Sequence, residues 1–181
     1  MKRAFLFLLV LFITLTAAIA QPRGGRGKGG ALRETGQKVI DAAQVPEAVK
    51  QAQEQTFPGL AVARWEQRSG KNDQRSFTHY VAVFKQDVRT TRARYDADGK
   101  SVALTKLFQA ANAPEVVKSA AARYTGYALV SGEESVTDKG TFYRVRFRQG
   151  AKKLTVFLDQ TGAELTKDKQ PKLLDIEEEG N

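Results

Sequence analysis

The sequence predicts an α+β fold built as a tandem repeat, a helix followed by three to four antiparallel strands, with the helices packed on one face of the sheet. Three observations carry this. The decapeptide DAAQVPEAVK at residues 41–50 returns as QAANAPEVVK at 109–118, with six of ten positions identical at an offset of 68. Each copy opens a stretch of helical period, in which apolar residues recur every three to four positions. Each such stretch then gives way to runs of period two, the spacing of strands with one buried face. A unit used twice must bury its apolar face in a related way twice.

The chain begins with a segment that does not belong to that fold. Lys2 and Arg3 precede an apolar run over residues 4–13, and Ala18-Ile19-Ala20 supplies small residues just before Gln21. Residues 1–20 thus have the form of a secretory signal peptide, which predicts a periplasmic or secreted mature protein. The 17 uncharged residues at 4–20 also stand at the short limit for a membrane span, so retention as an anchor is the alternative. No Cys follows the run, which excludes a lipid anchor there.

Residues 21–38 read as a flexible Gly/Arg-rich linker, since QPRGGRGKGG at 21–30 has five Gly, three basic residues and nothing to bury. RGG-type runs also occur in nucleic-acid-binding tails. This one is short, lacks aromatic residues and follows an export signal, so a solvated spacer is expected. Residues 31–38 are transitional, at most a weak helical turn.

The first unit is assigned to residues 39–106. Pro46 suits the first turn of a helix, where its missing N–H is not needed, and Glu47 suits the positive end of the helix dipole. Val45, Ala48, Val49, Ala52 and Thr56 form one small-residue face, and Phe57-Pro58-Gly59 ends the helix. Strands are predicted at 60–67, 77–85 and 88–95, then a turn at Asp96-Ala97-Asp98-Gly99 and a short apolar piece at 102–104. The second unit is assigned to residues 107–167. Its helix starts at Pro114 and Glu115, with Val116, Val117, Ala120, Ala121 and Tyr124 on its face. Its strands are predicted at 127–131, 141–148 and 152–158, with a short piece at 163–165. Residues 168–181 form a charged tail.

Strand parity then separates the two faces of the sheet. Tyr143, Val145 and Phe147 alternate with Arg144, Arg146 and Arg148. Arginines do not point into a small core, so the aromatic set must face the helices. Alignment of the copies turns Tyr80, Ala82, Phe84, Thr91, Ala93, Tyr95, Leu154, Val156 and Leu158 the same way. The other face carries Arg92, Arg94, Arg144, Arg146, Arg148, Lys85 and Lys153, mixed with Val81, Val83 and Phe157. Arg92, Arg94, Arg144, Arg146, Arg148, Lys153 and Phe157 are therefore the candidate partner-binding residues. A net charge of +9, or +7 without residues 1–20, suits an acidic macromolecular partner. A solvated face kept soluble by charge is the plain alternative.

Val45-Pro46-Glu47-Ala48-Val49, Phe57-Pro58-Gly59, Arg64-Trp65-Glu66 and the Asp96-Ala97-Asp98-Gly99 turn, in that order, resemble the PepSY-like family of exported bacterial proteins, also described as β-lactamase-inhibitor-like. The resemblance covers residues 39–167 as two copies. In the second copy Tyr124-Thr125-Gly126 replaces Phe-Pro-Gly, and the Trp position falls near Gly132. The resemblance implies tandem helix-plus-sheet modules and an exported, non-catalytic binding role, one related inhibitor of β-lactamase using its open sheet face. Trp65 is the family's characteristic aromatic, expected here in the core.

Catalysis needs a constellation that the chain does not offer. With no Cys there is neither a disulfide nor thiol chemistry nor a thiolate metal site. His79 is the only His and has Thr78 and Tyr80 beside it. Asp96-x-Asp98-Gly99 lacks the further ligands of a calcium loop. Gly24-Gly25 and Gly27 do not precede a Lys-Ser/Thr pair, which excludes a phosphate loop. The expectation is a protein that is not an enzyme and has no cofactor or metal. It would bind a protein partner of acidic character and no small-molecule cofactor, with polyanion or envelope-surface binding through the Arg-rich face and linker as the alternative.

Overall fold

The computed structural model describes residues 33–71 and 76–170. The proposed signal peptide, most of the linker and most of the charged tail lie outside the described residues.

Among the described residues, eight strands form one antiparallel sheet in simple sequence order: β1 Arg33–Ile40, β2 Val62–Lys71, β3 Ser76–Gln86, β4 Arg89–Tyr95, β5 Ser101–Gln109, β6 Ala128–Thr137, β7 Gly140–Gln149 and β8 Lys152–Asp159. Two α-helices, α1 Glu47–Thr56 and α2 Glu115–Ala121, interrupt the meander after β1 and after β5. Each covers its own core on the same side of the sheet. One core joins Ile40, Val45, Val49, Trp65, Ala82, Phe84, Ala93 and Tyr95; the other joins Phe108, Ala113, Val117, Ala120, Tyr143, Val145, Phe147, Val156 and Leu158.

The repeated decapeptide makes the corner between strand and helix. In each copy a short 3-10 turn, Ala42–Gln44 or Ala110–Asn112, leads into the α-helix. The Gln44 side chain accepts from the Asp41 N–H at 3.2 Å, and Asn112 accepts from the Gln109 N–H at 2.7 Å, so a side-chain amide satisfies a backbone donor that the turn leaves over. Pro46 and Pro114 then stand at the N-caps in extended conformation, and their carbonyls accept the first helical N–H bonds, from Val49 and Val117 at 3.1 and 3.0 Å. Glu47 pairs with Lys50 and Glu115 with Lys118, both at 2.7 Å, across one helical turn.

The small-residue helix faces allow a close approach of the hairpin turns. Gly99, at φ 81°, sits so tightly on α1 that a Cβ there would lie 2.5 Å from the Ala48 carbonyl oxygen. Gly162, at φ 83°, abuts Val116 and Ala120 of α2. A larger side chain at either place would meet helix backbone and would also be strained by the positive φ.

Four expectations need correction. Residues 33–38, read as linker with at most a helical turn, are the edge strand β1, which pairs with β2 from Arg33↔Lys71 to Ile40↔Trp65. Its polar composition gives no strand signal; the ladder offered by β2 overrides propensity. The piece at 102–104 is part of the full strand β5, which pairs with both β4 and β6 and so runs through the boundary placed at 106/107. Lys106 interrupts its apolar alternation, which hid its length. β6 likewise extends well past 131, to Thr137. The piece at 163–165 is no strand. It doubles back along β8 with one bridge, Leu158↔Glu164, and the Leu165 N–H donates to the Phe157 carbonyl at 2.7 Å.

Candidate functional site

Strand parity places one face of the sheet against the helices and leaves the other for a partner. The ladders assign the residues of that second face. On β2 they are Arg64, Glu66 and Arg68; on β3 His79, Val81, Val83 and Lys85; on β4 Arg92 and Arg94. On β5 they are Ala103, Thr105 and Leu107; on β6 Glu133 and Ser135; on β7 Arg144, Arg146 and Arg148; on β8 Lys153, Thr155 and Phe157. All seven candidates from the sequence lie on this face.

They do not form one uniform patch. Arg94 and Arg144 are only 2% and 3% exposed, and Phe157 with Val81 and Val83 is buried as well. Arg92 and Arg146 are half-buried, whereas Arg148 and Lys153 are exposed. The expectation that every Arg of this face stands open is therefore wrong for its centre. A buried guanidinium needs a counter-charge, and the face supplies two that the sequence reading passed over. Glu133 accepts from Arg144 Nη2 at 2.5 Å and from Arg146 Nη2 at 3.3 Å. Glu66 accepts from Arg64 Nε at 2.8 Å, from Arg68 Nη2 at 2.9 Å and from Gln37 Nε2 at 3.1 Å.

Both carboxylates are buried. Burial pushes the Glu66 pKa up, but the hydrogen bonds and charges of Arg64 and Arg68 outweigh it and hold the group below its ordinary 4.5. The signal that could have exposed these residues was available. Glu66 and Glu133 share the strand parity of the arginines, and Glu133 falls opposite Arg144 once β6 and β7 are paired.

The rim is different in kind. Arg148 lies opposite Lys153, and Arg146 opposite Thr155, where β7 and β8 approach their hairpin. The Arg148 Nε donates to the Gly150 carbonyl at 2.8 Å and keeps its charge at the surface. Lys85 extends the same end of the face on β3 and is exposed. The face thus has an apolar and ion-paired centre with a cationic border. Arg92 forms no ion pair among the described residues, and its Nε and that of Arg144 are buried without a hydrogen-bond partner.

The other side of the sheet holds structural residues. Trp65 is buried in the first core between Ile40 and Ala82 on the neighbouring strands. Arg89 ties the β3–β4 hairpin to the second half of the sheet, pairing with Glu134 at 3.1 Å and donating to the Asn112 carbonyl at 2.7 Å. On the open face, His79 stacks on Phe77 with ring centroids 4.6 Å apart. Among the described residues no group of three or more His, Cys, Asp or Glu is placed to hold a metal.

No protein-family profile matches the chain, and no curated protein matches it by sequence. Solved structures do match. A BLIP-like protein from Bacteroides fragilis NCTC 9343 aligns with TM-score 0.51 at 19% identity, over 67% of this chain and 84% of that one. A DUF2874 family protein from Bacteroides uniformis ATCC 8492 gives 0.53 at 19%, over 67% and 86%. One of the "putative periplasmic proteins" of Bacteroides eggerthii DSM 20697 gives 0.52 at 16%, over 67% and 86%. Among the described residues no helix is long and apolar enough to cross a membrane. This chain therefore has the fold of the BLIP-like and DUF2874 proteins of Bacteroides.

Proposed function

We propose that this protein is an exported, non-catalytic binding module, PepSY-like in kind and built from two tandem copies of one unit. It meets an acidic protein partner with the sheet face opposite its helices and acts as an inhibitor or modulator of a periplasmic enzyme. One observation carries this reading. The face turned away from the helices keeps Lys85, Arg148 and Lys153 exposed, while the buried carboxylates at its centre are already engaged, Glu66 by Arg64 and Arg68 and Glu133 by Arg144 and Arg146. A border of exposed cations beside an ion-paired centre, with Val81, Val83 and Phe157 buried within it, suits an acidic protein partner. The fold shared with a BLIP-like protein supports a binding role, and the signal-like residues 1–20 support export.

Polyanion binding is the second reading, favoured by the net charge of +9. Capture of envelope proteins on immobilised mature protein, repeated over a salt series, separates the two. A protein interface with an apolar centre survives moderate salt. Polyanion binding falls log-linearly with salt, with a slope of about 0.9 for each phosphate contacted, and shows little partner preference. Loss of all capture by that law would overturn the first reading.

A further inference from the structure

The two halves of the molecule meet on the helix side of the sheet, where the tip of the β3–β4 hairpin stands beside the corner that leads into α2. A cavity of about 360 Å³ lies there, near the lower end of the range for small-molecule sites. Gln86, Asp87 and Val88 of the hairpin tip line it, together with Asn112 and Ala113 of the corner and Lys106 of β5. Arg89 braces the hairpin against the corner, since it donates to the Asn112 carbonyl at 2.7 Å and pairs with Glu134 at 3.1 Å.

Packing alone gives no reason for Lys106. It holds an inward position on an interior strand, between Leu104 and Phe108 on the same face, and is half-buried. Glu134, the carboxylate opposite it on β6, is taken by Arg89, and Lys106 forms no ion pair among the described residues. An ammonium drawn out of water without a counter-charge is costly. Thr91, opposite Lys106 on β4, is fully buried, and its hydroxyl has no hydrogen-bond partner among the described residues. Asp87, exposed at the hairpin tip, likewise forms no ion pair among the described residues. The Gln86 Oε1 atom is buried and accepts no hydrogen bond there. The cavity lining thus holds an unpaired cation, an unpaired anion and an acceptor without a donor. A simple anion would satisfy Lys106 alone. A ligand carrying both a carboxylate and an ammonium would satisfy all three.

We propose that this cavity binds a small zwitterion, a free α-amino acid or a short peptide with free ends. Its carboxylate meets Lys106, and its ammonium meets Gln86 Oε1 and Asp87. Val88 and Ala113 give its apolar part a surface to lie on. Charge-assisted hydrogen bonds at both ends set the specificity, because a ligand lacking either charge leaves one of these groups unmet. The site lies on the side of the sheet opposite the basic face, so it stands or falls independently of the proposed partner.

The test is a titration of the isotope-labelled full mature chain with L-leucine and, separately, with L-alanyl-L-leucine. The expected result is a saturable shift of the backbone N–H signals of Val88, Lys106 and Asn112, with those of Arg148 and Lys153 unmoved. Saturation at lower concentration by L-leucine identifies a free amino acid as the ligand, and by the dipeptide a peptide. N-acetyl-L-leucine lacks the ammonium and L-leucinamide lacks the carboxylate, so each should bind about tenfold more weakly than L-leucine, or worse. Lys106→Met and Asp87→Asn should weaken binding to a similar degree, whereas Lys106→Arg should retain it. Asn suits the left-handed backbone of Asp87, at φ 54°, so the turn survives that change. Urea midpoints of the variants separate loss of binding from loss of fold. No saturable shift with either zwitterion, equal binding of N-acetyl-L-leucine, L-leucinamide or inorganic phosphate, or full binding by Lys106→Met would overturn the proposal.

Discussion

At the scale of single residues, the two buried carboxylates hold the binding face in shape. Removing one partner of a buried ion pair leaves an uncompensated charge, which costs about 3–5 kcal/mol. Glu133→Gln strands Arg144, whose side chain is 4% exposed, so it should lower unfolding stability by that amount in urea titrations. Arg148→Ser, at an exposed position, should change stability by no more than about 0.5 kcal/mol. Glu66 adds a pH dependence. Its carboxyl titrates below its ordinary 4.5 in the folded protein, so its contribution is complete above that value and is lost as pH falls through the lower, folded one. The stability gap between wild type and Glu66→Gln should therefore be full at neutral pH and close in acid. A gap that widened in acid would reverse the sign of this account.

At the scale of elements, the two halves solve one packing problem with different residues. Ile40 at the end of β1 lies beside Trp65, and Phe108 at the end of β5 lies beside Gly132. A small-plus-large pair fills the same place in each core, with the large ring donated by opposite strands. A Cβ on Gly132 would sit 2.4 Å from the Phe108 ring and 2.6 Å from the Arg144 carbonyl oxygen. Gly132→Ala should thus destabilise by about 1–3 kcal/mol, measurable as a drop in the urea midpoint without a change in slope. This is also where the sequence was least readable. The helices, the turns after Asp96 and Asp159 and the inward sets on β3, β4, β7 and β8 followed from parity and from Pro and Gly placement. β1 and the full length of β5 did not, because polar edge residues and an interior Lys106 erase the alternation that marks a strand. The basic face was legible as a list of residues but not as a layered site. Pairing Arg144 with Glu133 depends on the β6–β7 register, which stays hidden while β6 is read as ending at 131.

At the scale of the whole molecule, one continuous sheet carries both cores on one side and one basic surface on the other. Exposed charges at a protein interface act on encounter rate and specificity more than on fold, so they can be removed without unfolding the domain. The triple change Arg146→Ser, Arg148→Ser and Lys153→Ser removes charge from the proposed face. Lys50→Ser, Lys100→Ser and Lys118→Ser removes the same charge from the helix side, where Lys50 and Lys118 lie on α1 and α2 and Lys100 follows the Gly99 turn. The deciding measurement is capture of envelope proteins by these two variants, alongside their unfolding midpoints. The sheet-face variant should lose its partner while remaining folded, and the helix-side variant should retain it. Equal retention by both, or equal loss by both, would contradict a binding site on the sheet face.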